Sequence, residues 1–426
     1  MISISRLTHR RFILGSQGLW PGRRFKGLRG TGAAIREMGA LQLDPLNIAA
    51  RSQHISMYGR VLGYRQEYLH KLAYEKREFF DYGGALHLYP IPELPYWKLH
   101  MRRRGTTGRW SHRFEGEKKA ILEEVLEALR ERGPLGNRDF KGKALEEWSY
   151  RGRKESSIAL YYLWLTGQVM ISHRTGFDRN YDLRSRIVPE EWDYEVPEAE
   201  AEAFFAQRAL HGAGILRPSR FRAAWEEGIW RNVSREEAAA KLAGMVEAGE
   251  ASQVRIEGER EPWVTLSDNL PLLERLEGGG VPRAWKPAGA TTEEEVTLLA
   301  PLEPASARGR AKQLFGFDYV WEVYKPVEQR RWGYYTLPIL YGDDLVARLD
   351  PRLDKSSGTL QILGFWLEED APRDGEFAGA LGRGLMRFAQ MTGAEKVDAA
   401  AITPVRLRRE AMRAAKEWKN GAGNLT

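Results

Sequence analysis

The chain has 426 residues and a mass of 48.7 kDa, 42% hydrophobic and 29% charged, which is a globular balance spread over roughly two to four domains. It contains no Cys, which excludes disulfides, thiolate nucleophiles, Cys-ligated zinc and iron–sulfur clusters, and no apolar run approaches the ~20 residues that span a bilayer. The net charge of +7 is unevenly spread: residues 1–110 hold 19 Lys/Arg against 7 Asp/Glu, a net of +12, and the rest hold 46 against 51, a net of −5.

The first quarter reads as helices at Ser5–Ser16, Thr31–Met38, Asn47–Tyr58 and Tyr64–Tyr74. Leu41–Pro45 is extended, and Glu78–Leu88 forms paired strands. Arg102, Arg103 and Arg104 fall in a Gly/Thr-rich linker with Arg109. A clearer segment follows. Ala120–Arg132 is an amphipathic helix stopped by Gly133-Pro134, Arg138–Phe140 a short element, Lys143–Trp148 a short helix and Ser156–Thr166 a third. Gln168–Val188 then supplies two strands around a Gly-containing turn. Three helices and a hairpin in that order predict a winged helix. The order repeats about 80 residues on, with helices Glu198–His211, Pro218–Glu226 and Ser234–Ala248. The last opens on the capping box Ser234-Arg-Glu-Glu237, and a hairpin runs from Ala251 to Leu266.

Gly278-Gly279-Gly280 and Pro282 mark a linker. Beyond it, strand-like runs at Val296–Ala300, Tyr319–Tyr324, Gly333–Leu340, Leu345–Asp350 and Thr359–Trp366 predict a small barrel or curled sheet, closed by helices at Glu376–Met391 and Pro404–Trp418. The expected architecture is α+β. Three tandem winged-helix (helix-turn-helix) domains at 1–110, 111–192 and 193–275 are followed by a β-barrel-like domain with closing helices at 290–426. The basic first quarter points to a polyanion, most simply nucleic acid; a solubilising surface is the other reading.

The candidate chemistry sits in Leu41-Gln42-Leu43-Asp44-Pro45. Alternate residues of an extended segment share a face, which sets Gln42 beside Asp44 at ~6–7 Å while Leu43 points into the core. Pro45 favours an extended Asp44, and a basic field would keep its carboxylate charged. Such a pair can hold a water and face a developing positive charge. On spacing alone, the favoured reading is that Asp44 caps the next helix and Gln42 is an exposed amide.

LQLDPLNIAARSQHISMYGR, with Gln42-Leu43-Asp44, resembles the glutamine–hydrophobic–aspartate motif of the YcaQ-like DNA glycosylases. These are grouped with the AlkZ-like crosslink-unhooking enzymes, which carry glutamine–hydrophobic–glutamine. The segment Arg174–Pro189 resembles the family's central wing. Leu314–Tyr319 and Trp332–Pro338 are similar to its C-terminal β domain. The resemblance implies three winged helices and a β-barrel around a DNA cleft. It also implies hydrolytic removal of N7-alkylated guanine, including unhooking of interstrand crosslinks, with Gln42 and Asp44 as catalytic residues and no cofactor.

An N7-alkylated guanine carries a positive charge and leaves as a neutral base. Catalysis must therefore stabilise oxocarbenium character on the sugar and deliver water. No Lys is needed, so no lyase step is expected. Candidate DNA contacts are Arg51, Ser52, Gln53 and His54 after the motif, Arg102–Arg104, Arg174 and Arg179 on the second wing, and Arg330, Arg331 and Trp332 as a hairpin tip able to enter a groove. For the last, a barrel turn with Trp332 in the core is the alternative, and for Arg102–Arg104 a solvated charge run. The third wing, with Glu257, Glu259 and Glu261, reads as scaffold. The eight His residues are scattered, with no metal-binding spacing. A non-catalytic winged-helix DNA-binding protein or transcriptional regulator is the main alternative, and a metal-dependent nuclease a weaker one. A monomer acting on double-stranded DNA, cytoplasmic and nucleoid-associated, without a membrane partner, is the expectation.

Overall fold

The computed structural model describes residues 1–107, 111–114, 116–140 and 154–422. The expected helix Lys143–Trp148, and Arg109, lie outside the described residues.

Three successive stretches build the same small sheet. In the first, helix Gly27–Met38 is stopped by Gly39 in a left-handed conformation that other residues adopt at a cost. Strand Leu41–Gln42, helix Ser52–Tyr58, a short helix Glu67–His70 running into a π-helical turn, and the hairpin Phe79–Tyr82/His87–Pro90 follow. In the second, helix Ala120–Arg132, strand Leu135–Gly136, helix Glu155–Leu165 and the hairpin Val169–Thr175/Asp178–Leu183 are described. In the third, the order is helix Glu198–Ala213, strand Ile215–Leu216, helices Pro218–Ile229 and Arg235–Glu247, and the hairpin Ala251–Ile256/Trp263–Leu266. In each sheet the short strand pairs with the second hairpin strand, giving the order first–third–second. The capping reading holds locally: Ser234 Oγ accepts the Glu237 N–H at 3.0 Å.

Several boundaries differ from expectation, for identifiable reasons. The helix expected from Asn47 starts only at Ser52. Asp44 Oδ1 takes the Leu46 N–H, and residues 46–51 dock elsewhere: Ile48 O accepts from Leu353 N and Ala50 O from the Tyr335 hydroxyl. Arg102–Arg104 are not in a linker but in the last turns of helix Leu94–Thr106, whose buried Leu94, Trp97 and Met101 pack into a core shared by the first unit's hairpin and the second and third units. Tyr319–Tyr324 is not a strand; Glu322–Tyr324 is a single 3-10 turn.

The C-terminal sheet is curled and has five strands: Thr297–Leu298, Leu337–Tyr341, Asp344–Asp354, Thr359–Leu367 and Lys396–Asp398. The fifth, missing from the sequence reading, pairs in parallel after helix Gly375–Thr392 crosses the sheet. Pro351 is tolerated inside the third strand because the register slips between Asp350 and Pro351. Helices Gly375–Thr392 and Val405–Ala422 touch at Gly382, where a Cβ would fall 2.1 Å from Ala411 O.

The N-terminus ties these parts together. Strand Ile2–Ile4 pairs in parallel with Val254–Ile256 of the third unit, covering that sheet's open edge. Helix Arg6–Ser16 is capped by Ser5 and buries Phe12, Ile13 and Leu14 against Val254, Trp263, Leu273 and Leu340. Ion pairs complete the closure. Arg10 and Arg11 meet Asp343 at 3.0 and 2.5 Å, and Arg23 meets Glu295 at 2.5 Å. Among the described residues no helix is long and apolar enough to cross a membrane.

Candidate active site

Gln42 ends the two-residue strand that pairs with the first unit's hairpin, opposite His87. Leu41 and Leu43 on either side are 1% and 6% exposed, and burying two leucines is worth ~1.5–3 kcal/mol each. Their burial turns the Gln42 side chain away from the core. Its amide is held at both ends: Nε2 donates to Ala85 O at 3.2 Å, and Oε1 accepts from Arg308 Nη2 at 3.2 Å.

After Leu43, whose N–H donates to Leu86 O at 2.7 Å, the chain leaves the sheet. Asp44 is 9% exposed. Its backbone N–H donates to Gln53 Oε1 at 2.9 Å, and its Oδ1 accepts from Leu46 N at 2.8 Å. Asp44 therefore caps a tight turn and not the next helix. No other hydrogen bond reaches the carboxylate among the described residues, which leaves Oδ2 for solvent or substrate. The expectation that a basic field holds Asp44 in its charged form is corrected. Burial raises its pKa, and the Leu46 hydrogen bond offsets this only in part. No basic side chain is among the causes of the shift.

A cavity of about 550 Å³ opens beside Gln42, between the first and third units and the segment Leu302–Arg310. Its wall is aromatic at Tyr89, Trp97, Phe205 and Trp230, and cationic at Arg104, Arg208, Arg308 and Arg310, with Glu227 as the acidic side chain. His87 and His100 line it as neutral imidazoles. Burial first, then Arg208 and Arg308, brings His87 down to about 4, and burial brings His100 down to about 3. Asp44 is not part of this wall; it sits at the seam with the C-terminal sheet, where its charge helps burial to raise the pKa of the Tyr335 hydroxyl.

The other candidates scatter. Ser52 is 2% exposed and reaches the cavity wall. Gln53 is buried and spent on the Asp44 backbone. His54 is buried, bonded through Nδ1 to the Tyr64 hydroxyl at 2.8 Å, and lowered to about 4 by burial and Arg51. The Arg51 guanidinium lies 5.5 Å from the Phe177 ring centroid. Arg102 pairs with Glu195 and Glu198 at 3.1 and 2.9 Å. Arg103 pairs with Glu198 and Glu202 and donates to Ile229 O. Only Arg104 of the three faces the cavity, 4.1 Å above Trp230.

Arg174 forms a two-pronged pair with Asp81, at 2.6 and 3.0 Å, with the two side chains 6% and 0% exposed. That pairing joins the first and second units and leaves little guanidinium for a phosphate. Arg179 lies over Trp164 at 4.6 Å. Arg330 covers Tyr334 and donates to Lys325 O. Trp332 is in the core, as the barrel-turn alternative had it, flanked by Arg331 at 4.4 Å and Arg348 at 4.1 Å. The exposed apolar groups of that loop are instead Tyr324 and Val327, 87% and 73% exposed, which no periodicity in the sequence distinguishes. Arg308 was also missed, because its partner lies 266 residues away. Among the described residues no cluster of His, Asp or Glu is placed to hold a metal ion.

The chain thus combines three like sheet-and-helix units and a curled sheet with an anchored amide at the wall of a cationic cavity. A family model described as DNA glycosylase AlkZ-like matches residues 35–391, and the chain belongs to that family of DNA-repair glycosylases. The chain is also similar in fold to Streptomyces sahachiroi DNA glycosylase AlkZ. The TM-score is 0.60 and the identity 15%, with 92% of this chain and 98% of that one covered.

Proposed function

We propose that this glycosylase hydrolyses the N-glycosidic bond of N7-alkylated guanine, in monoadducts and in interstrand crosslinks, with no lyase step. Water attacks C1′ of the damaged nucleotide. The C1′–N9 bond breaks, and its electron pair neutralises the cationic base. The water proton passes to Asp44 Oδ2, the oxygen left without a hydrogen-bond partner among the described residues. Gln42 orients that water through the amide groups its two fixed contacts leave over. The observation that carries this reading is the pair itself: two polar side chains flanking a buried Leu43, each anchored by hydrogen bonds and each keeping hydrogen-bonding capacity.

In this reading the three like units are winged helices, the chain acts as a monomer, and the duplex lies across the mouth of the cavity. The cavity's cationic wall suits backbone phosphate, not the cationic base. Little acid catalysis is required, which accords with neutral His87 and His100 nearby.

Two substrates test it. Purified protein is expected to release 7-methylguanine from alkylated duplex DNA, and to convert a guanine–guanine N7 crosslink into separable strands on a denaturing gel. The strand should stay intact until alkali is added, and a nick without alkali would refute the monofunctional assignment. No base release from either substrate would refute the N7-guanine assignment.

A further inference from the structure

We propose that Arg308 is a positioning residue for Gln42, locking the amide in the orientation that hydrolysis requires. This rests on the reading of Gln42 given above. Three observations converge on Arg308. Its Nη2 donates to Gln42 Oε1 at 3.2 Å, while Ala85 O receives Gln42 Nε2. An amide with its oxygen on a cation and its nitrogen on a carbonyl cannot turn over without losing both bonds. The charge of Arg308 also adds, after burial and Arg208, to the lowering of the pKa of His87, the cross-strand partner of Gln42.

The backbone supplies the third observation. Arg308 has φ +55°, a left-handed conformation that a long side chain adopts at an energetic disadvantage, just before Gly309 at φ +84°. Strain of this kind persists where the surroundings impose it and is concentrated at functional sites. Here the surroundings are visible. Glu303, five residues earlier, is anchored to Arg60 and Ser56, and Arg310, two residues later, donates to Ala213 O. The segment is pinned on both sides of Arg308, and the side chain between the pins meets Gln42.

The strain also gives a clean test. Arg308→Gly removes the guanidinium and relieves the backbone, so the variant is expected to melt at or above the wild-type temperature. With enzyme in saturating excess over a 7-methylguanine duplex, its single-turnover rate should fall about tenfold or more, and Arg308→Lys should recover part of the loss. In a Gln42→Ala background, Arg308→Gly should add little, because the residue acts through Gln42. A rate within about twofold of wild type overturns the proposal. So does a loss that multiplies with Gln42→Ala, or one confined to the dissociation constant, which would make Arg308 a phosphate contact alone. Absence of release by the wild type itself is a different result, one that fails the reading of the reaction and not only the role of Arg308.

Discussion

Glu303 accepts both prongs of the Arg60 guanidinium, at 2.9 and 2.5 Å, with the two side chains 1% and 0% exposed. The pair joins the residues just after helix Ser52–Tyr58 of the first unit to the segment carrying Arg308, with 243 positions of sequence separating Arg60 from Glu303. It also changes the meaning of the charge asymmetry. Arg10, Arg11, Arg23, Arg60, Lys98, Arg102 and Arg103 all pair with acids from beyond residue 110. Much of the basic excess of the first quarter is thus spent on closing the molecule.

A buried pair broken on one side leaves an uncompensated charge, at ~3–5 kcal/mol. Glu303→Ala is expected to destabilise the fold by about that much in urea unfolding and to lower base release by loosening the Arg308 segment. Arg60→Met with Glu303→Leu should destabilise far less, since neither charge remains. If Glu303→Ala proves as stable as wild type, the pair is not holding the units together.

Asp44 carries a prediction in which stability and activity part company. Burial raises its pKa, so the folded state favours the neutral acid. Its contribution is fully present below the unfolded value of about 3.9 and is lost as pH rises through the raised folded value. At neutral pH the charged form is therefore a net burden. Asp44→Asn keeps the shape and an acceptor for the Leu46 N–H. Its melting temperature at pH 7.5 should equal or exceed that of wild type, with the difference fading toward about pH 4, while base release falls ~100-fold or more. A drop of several degrees at pH 7.5 would show that the carboxylate stabilises the fold.

The order of elements was legible because helix periodicity, Gly stops and the Ser234 capping box are local signals. Features that depend on distant partners were not. Strand Lys396–Asp398 is defined only by Thr359–Gln361 beside it. Tyr319–Tyr324 has the aromatic and β-branched residues of a strand, but it joins no ladder among the described residues and Tyr319 spends its hydroxyl on Thr336 O. At the site, Gln42 and Asp44 could be singled out because motif and Pro45 are contiguous. That Gln53 serves the Asp44 backbone, and that Arg174 is consumed by Asp81, follows only from the packing of helix and wing.

Acid should unfold this protein early. His54 and His87 are lowered to about 4, and His9 and His100 to about 3, each by burial first. Unfolded, each titrates near ~6.5. Below that value the unfolded chain binds protons that the fold refuses, so stability falls with pH by up to ~1.4 kcal/mol per unit per imidazole, until the folded values are reached. Urea unfolding at pH 7.5 and 5 should show a marked loss. His100→Gln should reduce the slope by about one proton, although it also disturbs the bond to Gly228 O. A flat profile between those pH values would contradict buried neutral imidazoles.

Arg102 and Arg104 differ in what they are free to do, and DNA affinity should separate them. Arg102 is already divided between Glu195 and Glu198, and its exposed pairs are worth at most ~1 kcal/mol to the fold. Arg104 stacks on Trp230 at the cavity wall, and no acid faces it within ion-pair distance among the described residues. Arg104 also hydrogen-bonds the Tyr82 hydroxyl, and a guanidinium on an aromatic face with one such bond keeps further N–H groups for phosphate. Arg104→Ala is expected to weaken duplex binding several-fold and to reduce the slope of log affinity against log salt by about one, the signature of one lost phosphate contact. Arg102→Ala should leave the slope unchanged, and its affinity should stay within about twofold of wild type. Equal effects from the two variants would mean that the clasp to Glu195 and Glu198 opens when DNA arrives, and that the duplex reaches beyond the cavity rim onto the third unit.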